Sequence, residues 1–402
     1  MFDGSLPEEI LEAIFANLGQ GSLRRVSESS RQLRRVALPS LYSNPIISGS
    51  QIPNFARTIT QNAHLASLPG SVQLRWTRED WTNPAFDLLR SLPSLRKVDL
   101  TLPCSATRGF FEWVRGEDIR VVKSCITELT INHQLCEGVL DTLESRALNY
   151  GVNEGTFPCP AHYTHPFVLP SLERLTLYIT YCTDERRGVT FVPQIYLHTS
   201  SVTDLTIHIR PTSPVFLRGM FYIPRALKSL RYCGENHTIG FANDVEQHFM
   251  DSLARHTASL ESLHILPDPR GKPEMWDIGS LRAFLNLRHL TVAMYALQPH
   301  ASGKLADALP AKLETLRLWN NTQWRMEDVQ YMRQVAEAVR DMPTLRSLSV
   351  RGLEVFLARR SEPNVADSVR ALKETCMAQG VDIMEFTESV GMSINAWIEE
   401  VQ

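Results

Sequence analysis

Leu313-Glu314-Thr315-Leu316-Arg317-Leu318 spells an apolar residue, two variable residues, an apolar, one variable residue and an apolar. The same spelling recurs eight more times. The other copies are Leu95–Val98–Leu100, Ile126–Leu129–Ile131, Leu172–Leu175–Leu177, Val202–Leu205–Ile207, Leu227–Leu230–Tyr232, Leu260–Leu263–Ile265, Leu287–Leu290–Val292 and Leu345–Leu348–Val350. Successive copies start 31, 46, 30, 25, 33, 27, 26 and 32 residues apart, a unit size that marks a stacked array. The last two apolars of each copy sit two apart, which is strand spacing. A single strand of this kind cannot bury its own apolar side. Stacked beside its neighbours, it becomes one row of a parallel sheet over a continuous core.

The segments between copies must carry the chain back. Asp244–His256, Glu327–Met342 and Val365–Gln379 read as helices, with Asp244, Glu327, Asp328 and Asp367 early, where acidic groups favour the helix dipole. Phe55–Leu65 reads as a further helix and Val72–Trp76 as a degenerate first strand. Val381-Asp382-Ile383 reads as one more strand after Gly380. Ser393–Val401 reads as an amphipathic helix, with Ile394, Trp397, Ile398 and Val401 on one side, that caps the array or binds a partner.

This pattern resembles leucine-rich repeats of the longer, strand-plus-helix type, from about Leu68 onward. The resemblance implies an α/β fold, with parallel strands on a concave face and helices on a convex one. It departs from the family at the asparagine or cysteine usually found three residues after the last apolar: Asn321 fits that place, whereas other copies carry Pro103, Gln134, Thr180 or Arg210. The ladder that such asparagines supply must be made some other way. An ordinary α/β domain is the competing reading.

The first forty residues differ. Leu6-Pro7-Glu8-Glu9-Ile10-Leu11 opens a helix, with Pro7 in the first turn and two acids at the positive end. Ile10, Leu11, Ile14 and Leu18 recur at helical spacing. Gly19-Gln20-Gly21 is expected to stop this helix and Ser22 to cap a second one, with Leu23 and Val26 inward. Ser29-Ser30-Arg31-Gln32-Leu33 and Leu38-Pro39-Ser40-Leu41-Tyr42 follow. From Leu6 to Tyr42 the stretch resembles an F-box, departing from it in the shortened loop after Leu18 and in Glu28 and Ser29, where the family is usually apolar. That resemblance implies docking on the Skp linker protein of a cullin–RING ubiquitin ligase. Leu6, Pro7, Ile10, Leu11 and Ile14 would supply the contact, and Leu23, Val26 and Leu33 would share contact with internal packing. The run of motifs is also similar to F-box proteins of filamentous fungi. The alternative is a helical cap that closes the array, with no link to a ligase.

The expected division is therefore a helical module at 1–45, a connector at 46–70 and a repeat array at 71–402. On the array, the residues alternating with the buried apolars face the open side. The first four copies place acids there (Asp99, Glu128, Asp204) among bases (Lys97, Arg174). The last five place Arg231, His264, His289, Arg317 and Arg351 there with no acid, and add Trp319 and Leu266 as apolar anchors. Arginine and tryptophan dominate binding hot spots. Arg231, His264, His289, Arg317, Trp319 and Arg351 are thus the candidate target site, suited to an acidic or phosphorylated segment. A solvated polar face is the alternative.

The chain has 402 residues, 43% of them hydrophobic, and a net charge of −3, a balance without a nucleic-acid footprint. No secretory signal pattern or membrane-length apolar run is visible. Seven scattered cysteines (Cys104, Cys125, Cys136, Cys159, Cys182, Cys233, Cys376) read as free thiols of a cytoplasmic or nuclear protein. Cys159, His162 and His165 lie close together but lack an evident fourth zinc ligand, so a proline-rich loop is the reading and no metal is expected. No nucleotide-binding, zinc-protease or nucleophile-elbow motif occurs. A non-enzymatic adaptor without cofactors is expected, holding a ligase at one end and a target on the strand face.

Overall fold

The computed structural model describes residues 6–76, 78–103, 106, 109–110, 113–114, 124–134, 160–179, 197–209, 214–234, 249–267, 278–297, 303–319, 326–351 and 363–385. The chain divides into two units, Met1–Asp184 with Val192–Val202 and Glu185–Phe191 with Thr203–Gln402.

The first unit opens with three helices, α1 (Glu8–Phe15), α2 (Gln20–Ser29) and α3 (Arg31–Ser43). Strand β1 (Ile46–Ser48), helices α4 (Gln51–Thr60) and α5 (Ala63–Ala66), strand β2 (Ser71–Arg75) and helix α6 (Thr82–Arg90) follow. Then come β3 (Lys97–Pro103), β4 (Glu128–Gln134), a 3-10 stretch at Pro160–Val168 and β5 (Arg174–Ile179). Each strand pairs in parallel with the next. The helix expected at Phe55–Leu65 is two helices. Asn62 breaks the run because its side-chain carbonyl accepts the Leu65 N–H at 3.2 Å and caps α5. The stretch 46–70, expected as a connector, supplies β1 to the sheet.

The second unit runs β6 (Asp204–Ile209), α7 (Pro214–Tyr222), β7 (Ser229–Gly234), a 3-10 turn at Ala254–His256, β8 (Ser262–Pro267) and β9 (His289–Ala293). It continues with α8 (Leu305–Ala308), β10 (Thr315–Trp319), α9 (Met326–Asp341), β11 (Ser347–Val350), α10 (Pro363–Gln379) and β12 (Asp382–Glu385). These strands are also parallel and in sequence order. Gly380 ends α10 with a left-handed φ of 66°, which lets the Val381 N–H return to the Cys376 carbonyl at 2.8 Å. Two of the three expected return helices are α9 and α10. The described part of the third, from residue 249, ends in the turn at Ala254–His256. The expected terminal helix Ser393–Val401 lies outside the described residues.

Register follows the repeated spelling. Val98, Leu129 and Leu175 align in the first unit, and Leu205, Leu230, Leu263, Leu290, Leu316 and Leu348 align in the second. Every apolar position of the nine copies is buried. A fully buried leucine contributes about 1.5–3 kcal/mol, so this column is the main cohesive term in each unit. The result is the strand-plus-helix, leucine-rich-repeat-like array that the spacing predicts.

A different ladder replaces the missing asparagines. In several copies it lies on the residue just before the first apolar. Ser171 Oγ donates to the Ser124 carbonyl at 2.7 Å and Ser201 Oγ to that of Pro170 at 3.1 Å. In the second unit Asn286 Nδ2 donates to Ala258 at 2.7 Å and Thr344 Oγ1 to Ala311 at 2.9 Å. Each of these bonds ties one copy to the copy before it. Beside them, in most copies one backbone carbonyl accepts two successive N–H groups of the next. Arg96 accepts from Thr127 and Glu128, Glu261 from Arg288 and His289, and Glu314 from Arg346 and Ser347. The groups that would be orphaned where a strand begins are thereby satisfied.

Candidate functional site

The N-terminal module folds around its own small core. Leu11 and Phe15 of α1 point inward onto Leu23 of α2 and Val36 and Ala37 of α3, and all five are buried. Leu18, Val26, Leu33 and Leu41 pack half-buried around them. Ser30 caps α3, its hydroxyl accepting the Leu33 N–H at 3.1 Å, and an ion pair joins Glu8 to Arg35 across α1 and α3. The second helix begins earlier than expected. Gly19 is its N-cap, so Gly19-Gln20-Gly21 starts α2 instead of only stopping α1, and Ser22 lies inside the helix. The first helix ends at Phe15, and Asn17 Nδ2 satisfies the Ala13 carbonyl at 2.8 Å.

One row of apolar side chains is left outside this core. Leu6, Ile10 and Ile14, four residues apart, are 51%, 46% and 44% exposed, and Pro7 beside them is exposed too. The four-residue step places Ile10 and Ile14 one above the other on α1, and Leu6 stands just before its N-cap, Pro7. Leu11, expected among the contact residues, is instead a core residue. It shares its face with Phe15, one turn on, and turns toward α3. Leu23 is likewise spent on internal packing, while Val26 and Leu33 remain partly accessible.

The module is joined to the first strands through the end of α3, not through the exposed row. Tyr42 stacks on Phe55 of α4 with ring centroids 5.5 Å apart. Gln20 Nε2 donates to the Asn44 carbonyl at 2.9 Å, and the Gly70 N–H to the Ser43 carbonyl at 3.0 Å. A helix serving only to cap the array would turn Ile10 and Ile14 inward; here both face out.

The strand faces of the two units carry different chemistry. In the first unit opposite charges pair across strands. Glu128 lies 3.5 Å from Lys97 and 2.8 Å from Arg174. Burial raises the Asp99 carboxyl above the usual range, although Arg75 and Lys97 pull it down. In the second unit the register aligns Thr206, Arg231, His264, Thr291, Arg317 and Ser349 in one row across β6 to β11. His289 sits in the neighbouring row, between Ser262 and Thr315. Burial, then Arg231, Arg317 and His289, push His264 down to about 4. Burial and Arg231 push His208 to about 3.

The six expected target residues therefore separate. Arg231, His264, His289 and Arg317 come together on the face. Trp319 and Arg351, expected as exposed anchors, are 8% and 5% exposed, and the Arg351 guanidinium lies 3.8 Å over the Trp319 ring. Each covers the other, and the pair closes the ends of β10 and β11. Thr101, Tyr178, His208, Thr291, Ala293 and Ser349, which alternation also places on the open face, are buried as well. Simple alternation therefore fails at middle as well as last positions of the strands. The Leu266 and His162 side chains and Cys159 lie outside the described residues.

Among the described residues no group of three or more His, Cys, Asp or Glu side chains could hold a metal. No helix among them is long and apolar enough to cross a membrane.

No curated protein matches the sequence. Among solved structures, the yeast complex of Rad7 and Elc1 has a chain 11% identical to this one, with a TM-score of 0.33, over 86% of this chain and 88% of that one. The family model described as F-box-like matches residues 3–48, which span the three helices, the exposed row and β1. The chain carries an F-box-like domain at residues 3–48.

Proposed function

We propose that this chain is a substrate-recognition adaptor of an SCF-type cullin–RING ubiquitin ligase. The Skp linker docks over Leu6, Pro7, Ile10 and Ile14, with the accessible edges of Val26 and Leu33 beside them, and a target protein is held on the strand face. The observation that carries this reading is the exposed row on α1, which the module's own core does not use. About half of each of the three large side chains is available, so covering them contributes on the order of 1 kcal/mol apiece.

In this reading the chain does no chemistry. It holds the target near the ligase's ubiquitin donor, and proximity raises the effective concentration of target lysines. It works in the cytoplasm or nucleus, where the free thiols Cys125, Cys233 and Cys376 stay reduced.

The test is co-purification with a Skp linker protein, beside an Ile10→Asp, Ile14→Asp double variant. Both residues are exposed in the free chain, so the variant should fold and melt like the wild type. Binding should weaken at least tenfold. Unchanged binding by the variant, or none by a well-folded wild type, would leave a repeat scaffold without a ligase.

A further inference from the structure

The two helices that follow α1 concentrate positive charge. Between Gln20 and Ser43 lie five arginines, Arg24, Arg25, Arg31, Arg34 and Arg35, against one acid, Glu28, a net charge of +4 in a chain of net −3. Acids hold two of the five: Arg24 lies 3.1 Å from Glu28, and Arg35 pairs with Glu8 of α1. Arg25, Arg31 and Arg34 are exposed, and among the described residues their side chains have neither an ion pair nor a hydrogen bond. They stand on two helices joined by a single residue, Ser30.

This arrangement costs the module stability. Arg31 lies about one helical turn from both Arg34 and Arg35, and like charges at those spacings repel. The first turn of α3 holds no acid, and the helix dipole disfavours cations there. The module's core does not use these side chains; it is built from Leu11, Phe15, Leu23, Val36 and Ala37. Local rules broken without a gain in burial mark groups that act outside the fold.

The chemistry of the corner selects its partner. All five bases are arginine, whose forked guanidinium matches a carboxylate two bonds at a time. Single-stranded nucleic acid needs aromatic faces to stack on, and the one aromatic residue of α2 and α3, Tyr42, is already stacked on Phe55. A membrane surface needs apolar side chains beside the bases. Among the described residues of this module, the exposed large apolars are Leu6, Ile10 and Ile14, on or just before the helix that carries Glu8, Glu9 and Glu12, which anionic lipids repel.

We propose that the corner of α2 and α3 at Arg25, Arg31 and Arg34 receives an acidic protein segment, rich in glutamate or aspartate, whose carboxylates these three guanidinium groups take. The corner is a second docking surface beside the apolar row of α1, and it does not depend on what covers that row.

Fluorescence anisotropy on the full chain tests it. The probe is a labelled twelve-residue peptide of alternating glutamate and serine. The comparisons are its glutamine analogue, a single-stranded RNA twelve-mer and vesicles containing phosphatidylserine. The glutamate peptide should bind at least tenfold more tightly than the glutamine analogue or the RNA, and the vesicles should not retain the chain. An Arg25→Gln, Arg31→Gln, Arg34→Gln variant should lose at least tenfold in affinity, and the corresponding triple lysine variant should fall between it and the wild type. Arg282→Gln with Arg333→Gln, at exposed arginines of the second unit, should change nothing. The triple glutamine variant should melt no lower than the wild type, because the arginines it removes repel one another. A lower melting temperature would make them structural and overturn the proposal. So would equal binding of the glutamate and glutamine peptides, tighter binding of RNA or vesicles, or indifference to the triple variant. An Ile10→Gln, Ile14→Gln variant, which blunts the apolar row without adding charge, should bind the peptide as the wild type does, so this proposal and the linker reading fail separately.

Discussion

His256 is buried in the second unit with a backbone partner for each ring nitrogen. Nδ1 accepts the Leu227 N–H at 3.3 Å, so Nε2 carries the proton and donates it to the Phe221 carbonyl at 2.8 Å. One neutral side chain thus joins the turn at Ala254–His256 to the end of α7 and to the start of the preceding copy at Leu227. An apolar replacement leaves a buried donor and a buried acceptor unpaired, at about 1–3 kcal/mol each. His256→Leu should therefore lower unfolding free energy by roughly 2–5 kcal/mol in urea titrations, although it adds apolar volume. A loss below about 0.5 kcal/mol would show that the two backbone groups find other partners. Nothing in the sequence marks this histidine, because its partners lie 29 and 35 residues away and the spacing between copies varies. The inward turn of Leu11 escapes the sequence for a related reason. Ile10, Leu11 and Ile14 share one helical stripe in the sequence, and only the position of α3 decides which of them turns inward.

At the level of elements, the strands were legible and their fastenings were not. Two apolars two residues apart, nine times over, fix strand position, direction of pairing and register together, since a one-residue slip would turn the apolars outward. The missing asparagines left the ladder open. The structure places it on short polar residues one position before the first apolar, a place where serine, threonine and asparagine look like ordinary turn chemistry. Asn286→Ala and Thr344→Ala should each cost about 0.5–1.5 kcal/mol by denaturant unfolding, Thr344 losing one bond between adjacent copies and Asn286 losing that to Ala258 and an exposed one from Lys312. The two effects should be nearly additive, as the bonds serve different pairs of copies. A neutral result for both would assign copy-to-copy cohesion to the backbone carbonyls that accept two N–H groups and to the apolar column alone. The buried Trp319–Arg351 pair shows where alternation stops being a guide. Strict period two places both side chains on the open face, yet each has an aromatic or aliphatic body that the other covers, so neither remains available as an anchor.

The whole chain inherits a pH dependence from the strand face of its second unit. His208 and His264 have folded-state values of about 3 and about 4, against 6.5 for an unperturbed histidine. Burial is the larger cause in both, and Arg231 adds repulsion to both. A depressed value means that the folded chain holds these rings neutral where the unfolded chain would protonate them. Their contribution to stability is therefore complete above pH 6.5, and it falls as the pH drops through 6.5 toward 4. At pH 5 each shift corresponds to a loss on the order of 2 kcal/mol. The melting temperature should accordingly drop between pH 7.5 and pH 5.0, and a His208→Gln, His264→Gln double variant should show a distinctly smaller drop, whatever its absolute stability. An equal drop in both proteins would place the acid sensitivity elsewhere.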